Sequence, residues 1–413
     1  LHGSEHVLSL AVGKVCKIPE FAELVEEHGE MYSWFTHHQK PSAIFQKYAK
    51  QLNRGTGRKL KIMRASPTRL AGNPIALHKD LILKPALIAT VNSLEYKALA
   101  LGIEDARVVK MCNDEFRWRA VKAFLMCTFP MVKLLRLVDS GSPTNGVLFS
   151  ACLKVEAAIE YSREELDDVF KRSDDEVSVY EEVLEGWSEY ADELKHEWAK
   201  LGFVTNPLLI DEVLAYPDQQ DLLASSRRIV RKIFFGCEDM DRVLTEFSSS
   251  LTLFQDKAGG WDEAFIWNDP LLSQGKAHIW HRQYSLPHAE VFGKVGCVAQ
   301  GQLTGMGAAE RNWAHVKNVW DDAKANMTAE KAEKKVKIWE GIRREELAIR
   351  NDLDPIDVPL YRQWTDDEVS FDLGLDKRGV EIDTRAVDER RFLNYMEDWE
   401  GECIKKKLNL NEF

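Results

Sequence analysis

The chain has 413 residues, 45% of them apolar and 10% aromatic, which supplies a sizeable core and excludes wholesale disorder. Its net charge of −12 argues at first sight against a nucleic-acid partner, and its seven scattered cysteines form no CxxC pair, which excludes a disulfide or zinc framework. Such thiols read as reduced, intracellular and mostly buried. The opening Leu-His-Gly-Ser carries neither a Met nor a basic-then-apolar leader, so no signal peptide is expected, and a piece of a longer protein is compatible with it.

Charge is unevenly spread. Residues 161–200 hold fourteen acids against five bases, and residues 351–413 hold seventeen against nine. The remainder is therefore net positive. Within it, "KYAKQLNRGTGRKLKIMRASPTR" (47–69) carries eight bases and no acid. A local basic stripe governs phosphate binding more than the global sum does, although a solvated basic loop reads the same way.

In chain order, "HVLSLAVGKV" (6–15) fits either a short buried strand or the first turns of a helix, and periodicity does not choose between them. In 21–35 the apolar residues Phe21, Leu24, Val25, Met31, Trp34 and Phe35 recur three to four apart, which predicts an amphipathic helix. "WFTHHQK" (34–40), with His2, His6 and His28, invites a metal reading. Adjacent histidines do not share a helix face, and no Cys lies at ligand spacing, so no metal cluster is expected there. "AVKAFLMCTFPMVKLLRLV" (120–138) is the most apolar window; Lys122, Lys133 and Arg136 exclude a membrane span, and Pro130 predicts a buried helix broken at that point.

Residues 179–202 predict one long amphipathic helix. Tyr180, Val183, Leu184, Trp187, Tyr190, Ala191, Leu194, Trp198 and Leu201 share its apolar face, and Gly202 is the expected C-cap. Residues 221–236 predict another, stopped by Gly236. Linkers are expected at 53–59, 139–146, 256–261 and 351–359. Trp261, Trp267 and Trp280 read as core rather than as a base-stacking platform. A final charged helix is expected near 384–407. Asn326-Met-Thr spells a glycosylation site, expected to be inert without a secretory route.

"GMGAAERNWAHVKNVW" (305–320) runs from small residues straight into Glu310, Arg311, Asn312 and Trp313. Small residues admit close backbone approach, and a carboxylate at a helix start is favoured by the helix dipole, so Glu310 fits either a ligand site or an ordinary first-turn acid.

The block from 277 to 347 resembles the C-terminal region of hAT-type transposases. Trp280, Tyr284, Pro287, Glu310, Arg311 and Trp313 match that family's order and approximate spacing. His6 and Leu10 match its Cys-x-x-His-x-x-x-Leu stretch, with Gly3 in place of the Cys. Thr68 and Arg69 match its Thr-Arg-aromatic motif, with Leu70 in place of the aromatic. "KANM" (324–327) stands where relatives carry a basic segment. The resemblance covers roughly 275–345 and, with these departures, 1–95.

The resemblance implies a mainly α chain with a partial RNase H-like α/β core interrupted by a long helical insertion. Residues 1–20 would open the core and 21–258 would form the insertion. Residues 259–350 would close the core and carry a dimerisation region, and 351–413 would be a charged tail. It implies a nuclear, transposable-element-derived protein that binds DNA and self-associates, with no membrane role. Glu310 would be a catalytic carboxylate and Mg²⁺ ligand; His6, Lys59, Lys61, Arg64, Arg69 and Arg311 would contact DNA; Val336, Trp339 and Ile342 would join subunits. RNase H-like nucleases hold two divalent ions about 3.5–4 Å apart on two or three carboxylates, and hard Mg²⁺ selects oxygen ligands. The family's two catalytic Asp precede the His6 stretch, and no Asp occurs before Asp80. The chain as it stands is therefore expected not to cut DNA alone, whether as part of an active transposase or as a degenerate or domesticated descendant. The rival expectation is a helical scaffold or dimerisation module with no DNA role.

Overall fold

Apolar residues spaced three and four apart dominate the sequence, and helices follow from them. The computed structural model describes residues 3–52, 61–65, 71–99, 102–139, 143–173, 175–273 and 275–305. Its first half contains α1 (Ser4–Val15), α2 (Pro19–His37), α3 (Gln39–Leu52), α4 (Gly72–Asn92), α5 (Leu94–Lys97), α6 (Ile103–Asn113), α7 (Glu115–Val138), α8 (Asn145–Tyr161) and α9 (Arg163–Val169). The second half contains α10 (Val179–Leu194), α11 (Glu197–Val204), α12 (Ile210–Ala215), α13 (Gln219–Ile233), α14 (Met240–Gln255), α15 (Ala264–Trp267), α16 (Pro270–Ser273), α17 (Ala277–Tyr284) and α18 (Glu290–Gln300). The protein is mostly helical, with no strand among the described residues. No described helix is long and apolar enough to cross a membrane.

Two hydrophobic clusters organise these helices. The larger runs through Leu8, Val12, Phe21, Phe124, Phe149, Trp187, Phe203, Phe254, Trp280 and Phe292. The smaller gathers Met31, Trp34, Phe35, Phe45, Leu83, Leu87, Tyr96, Met111 and Trp118. Three helices cross from one to the other. Leu24 of α2, Leu77 of α4 and Ala120 of α7 lie in the larger; Met31, Leu83 and Trp118 of the same helices lie in the smaller.

Several expectations change. Residues 6–15 are helix, not strand. Val7, Leu8, Ala11 and Val15 of α1 are buried where it packs on α7 and α10. The expected boundary at 20/21 falls inside α2, and the residues on either side of 258/259 share the larger cluster. Pro130 does not break its helix: α7 continues to Val138 because α1, α4 and α8 enclose it, and Thr128 Oγ1 donates to the Phe124 carbonyl at 2.7 Å. The proline removes one main-chain bond, and packing outweighs that loss.

Residues 179–202 form two helices rather than one. The chain turns at Lys195, and His196 caps α11 by accepting from the Ala199 amide at 3.0 Å. Gly202 lies inside α11 instead of ending the helix. A Cβ there would stand 2.4 Å from the Asn145 carbonyl oxygen, so the glycine serves close packing of α11 on α8. Asn145, read in sequence as linker, is buried and donates to the carbonyls of Trp198 and Ala299 at 2.9 and 3.0 Å. Gln300 answers by donating to the Gly202 carbonyl at 2.6 Å. These amides tie α8, α11 and α18 together.

The tryptophans are core, as expected from the sequence. Trp261 and Trp280 are buried around Phe254, and Trp267 is half-buried against them. Cys16, Cys112, Cys127 and Cys152 are buried and unpaired, and Cys237 is exposed. The expected linkers at 53–59 and 351–359, the helix near 384–407 and Asn326 lie outside the described residues.

Candidate nucleic-acid interface

The polar groups on the three crossing helices meet where the two clusters join. His28 of α2, Asp80 of α4 and Arg117 of α7 are all buried there. His28 sits in the apolar stripe of α2, between Leu24 and Met31 in helical spacing. A polar residue at such a position requires a partner, because burying it unpaired is costly.

His28 has two partners. Its Nδ1 lies 2.8 Å from Asp80 Oδ2 and its Nε2 lies 2.9 Å from the Met63 carbonyl oxygen. Carboxylate and carbonyl oxygens accept hydrogen bonds, so both ring nitrogens donate and the ring is an imidazolium. Burial lowers the His28 pKa, but the Asp80 charge and hydrogen bond and the Met63 carbonyl outweigh it, so the pKa is raised.

Arg117 stands behind this pair. Its Nε donates to Glu27 Oε2 at 2.8 Å, its Nη2 lies 3.7 Å from Asp80 Oδ2, and its guanidinium covers the Trp118 ring at 4.8 Å. Burial pushes the Glu27 carboxyl up, and Arg117 offsets this only in part. Lys84 pairs with Glu115 at 2.8 Å on the outer side of Trp118.

The bond from His28 to Met63 fixes the short segment 61–65 against α2. Ile62 buries in the smaller cluster and Met63 packs on the larger. Lys61 and Arg64 are left exposed. Between this segment and α2 lies an open groove of about 380 Å³, lined by His28, Gly29, Tyr32, Ser33, His37, Arg64 and Ala65. Ser33 Oγ and His37 Nδ1 are 3.1 Å apart on its wall. The Arg64 guanidinium, the His37 imidazole and the Tyr32 and Ser33 hydroxyls suit an anionic oxygen such as a phosphodiester, whereas both N–H groups of His28 are already taken by Asp80 and Met63.

Of the residues expected to contact DNA, Arg64 lines this groove; Lys61 is exposed on the same short segment but is not among the lining residues. His6 is exposed on the first turn of α1 and does not line the groove. Lys59, Arg69, Glu310 and Arg311 lie outside the described residues, as do Val336, Trp339 and Ile342. Among the described residues no three His, Cys, Asp or Glu side chains gather as a metal-binding set. His38 instead packs its ring on Trp34 at 4.0 Å.

Sequence reasoning missed Glu27, Asp80 and Arg117, and took up His28 only in a metal reading that it set aside. Their signal was a polar residue within an apolar helical stripe: His28 between Leu24 and Met31, and Asp80 between Leu77 and Leu83. Comparison of the chain with protein-family models, curated proteins and solved structures finds no match.

Proposed function

We propose that this chain is a transposase-derived, DNA-associated protein, related to the enzymes of metal-dependent DNA cleavage and strand transfer, and that it meets DNA along the groove between α2 and residues 61–65. The observation that carries the DNA contact is the His28–Met63 bond, which anchors the segment bearing Lys61 and Arg64 beside a groove that Arg64 lines. Pre-ordered cations bind phosphates without the entropic cost of ordering a loop. The transposase relationship, its RNase H-like core and a nuclear setting rest on the order of motifs in the sequence. Glu310 is the carboxylate that relationship assigns to Mg²⁺, and it falls outside the described residues, so no chemical step is routed through it.

The test is retention of duplex DNA by the full chain across a salt series. Lys61→Glu with Arg64→Glu should abolish salt-sensitive retention while leaving helicity intact. Retention equal to that of the unaltered chain would remove the DNA contact and favour a helical scaffold.

A further inference from the structure

A second cluster of exposed bases lies elsewhere, on the last two turns of α13. Arg227, Arg228, Arg231 and Lys232 are all exposed there within six residues. Their mutual arrangement is unequal. Arg228 and Lys232 share one carboxylate, that of Glu197 on α11. Arg227 donates to the neutral Ser248 hydroxyl at 3.1 Å. Arg231 has no hydrogen-bond or ion-pair partner among the described residues. Glu197 ion-pairs with two of the four bases and Asp221 adds a charge near Arg228, so bases still outnumber acids on this surface.

A large ring stands at the end of the same surface. Phe235 is 92% exposed, the most exposed of the large hydrophobic side chains among the described residues. Its position is built by the backbone: Gly236 takes φ +88°, and the Cys237 amide donates to the Phe234 carbonyl at 3.0 Å. That tight turn buries no part of the Phe235 ring. Beyond it come the exposed acids Glu238, Asp239 and Asp241 together with the exposed Arg242, so the excess of bases lies on the α13 side.

The same chain contains a segment of complementary chemistry. Residues 351–376, "NDLDPIDVPLYRQWTDDEVSFDLGLD", hold eight acids and a single base, Arg362. Tyr361, Trp364 and Phe371 lie among those acids. An acidic, aromatic-bearing segment matches a basic surface with one exposed ring in both charge and apolar character. The 45 residues from 306 to 350 separate it from the last described residue. Because the segment belongs to the same chain, its docking on α13 is intramolecular and does not depend on protein concentration.

We propose that the acidic segment 351–376 docks on the α13 surface of its own chain, with its carboxylates on Arg231 and its neighbours and an aromatic side chain on Phe235. The docked segment covers basic surface that a nucleic acid would otherwise reach. This inference does not depend on the groove at α2.

The exposed thiol of Cys237, two residues from Phe235, reports on the contact. In the full chain its alkylation should be about fivefold slower at ~50 mM salt than at ~1 M, where such pairing is screened. Arg231→Glu should remove the protection, as should Asp366→Lys with Asp367→Lys. Combining both sets should restore it, because the charges are then exchanged. Protection should not vary with protein concentration. Equal alkylation rates in all variants would overturn the proposal. So would protection that rises with concentration, which indicates a second copy, or protection that appears only when single-stranded DNA is added, which indicates a nucleic-acid site. Loss of DNA retention in the Lys61 and Arg64 variants with Cys237 protection unchanged would leave this inference standing, whichever way the groove is decided.

Discussion

His28 and Asp80 are joined at 2.8 Å across the seam between the two hydrophobic clusters, and both are buried. Because the other ring nitrogen of His28 faces the Met63 carbonyl, the pair is ionic. Arg117 and Glu27 complete a buried set of alternating charge. Removing one member of such a set leaves an uncompensated charge, which costs far more than the set contributes net.

Asp80→Asn should therefore destabilise the fold by about 3 kcal/mol, measured by urea unfolding at neutral pH. The pH dependence has a definite sign. His28 has a raised pKa in the folded chain, so its protonation favours folding. The contribution is complete below an unfolded value of about 6.5 and is lost as pH rises through the raised folded value. Asp80→Asn should flatten that part of the stability profile; an unchanged slope above neutral pH would refute the ionic assignment.

His281 behaves in the opposite sense. Its Nε2 donates to the Thr205 carbonyl at 2.7 Å, while Nδ1 faces the Ser285 hydroxyl at 2.9 Å, which itself accepts from Trp261 Nε1. With no carboxylate partner among the described residues, burial pushes its pKa down to about 4. Burial likewise pushes His78 down to about 3, with Lys79 and Lys133 adding to it. Stability from these neutral rings is present above about 6.5 and falls as pH drops toward the depressed values. Tryptophan fluorescence should show acid unfolding, and His281→Gln should weaken the pH dependence of that transition.

Gly202→Ala should destabilise by about 1–3 kcal/mol, because the added methyl meets the Asn145 main chain in a packed interface. Gly29→Ala is the control: a Cβ there meets nothing within 4 Å, and the helical site gains about 0.5–1 kcal/mol. Thermal unfolding of both variants should move the midpoint in opposite directions.

If the groove binds DNA, His28→Gln should weaken retention although its ring lies deepest and reaches few phosphates. The variant releases residues 61–65 from α2, so affinity falls through lost ordering. Arg64→Gln should lower the slope of log affinity against log salt by about one. An unchanged slope would show that Arg64 touches no phosphate.

Self-association, which the resemblance implies through Val336, Trp339 and Ile342, predicts that Trp339→Ala lowers the mass measured by light scattering. The same mass for both proteins would withdraw it.

The sequence by itself determined that helices would form and which faces they would bury, because both follow from local spacing. Phe21, Leu24, Met31 and Phe35 repeat with the helical period, and α2 buries them all. Trp261 and Trp280 were legible as core because large aromatic side chains in a globular chain are most often buried. Only the tertiary structure decided what local spacing leaves open. Residues 6–15 became helix because α7 and α10 receive an apolar stripe, and α7 ran through Pro130 because its neighbours enclose it. Gly202 and Asn145 acquired their meaning from each other, 57 positions apart in sequence. His28 carries a charge and His281 does not, because one faces a carboxylate and the other a hydroxyl group. Protonation is a property of the partners a side chain meets, and for these residues the partners come from distant parts of the chain.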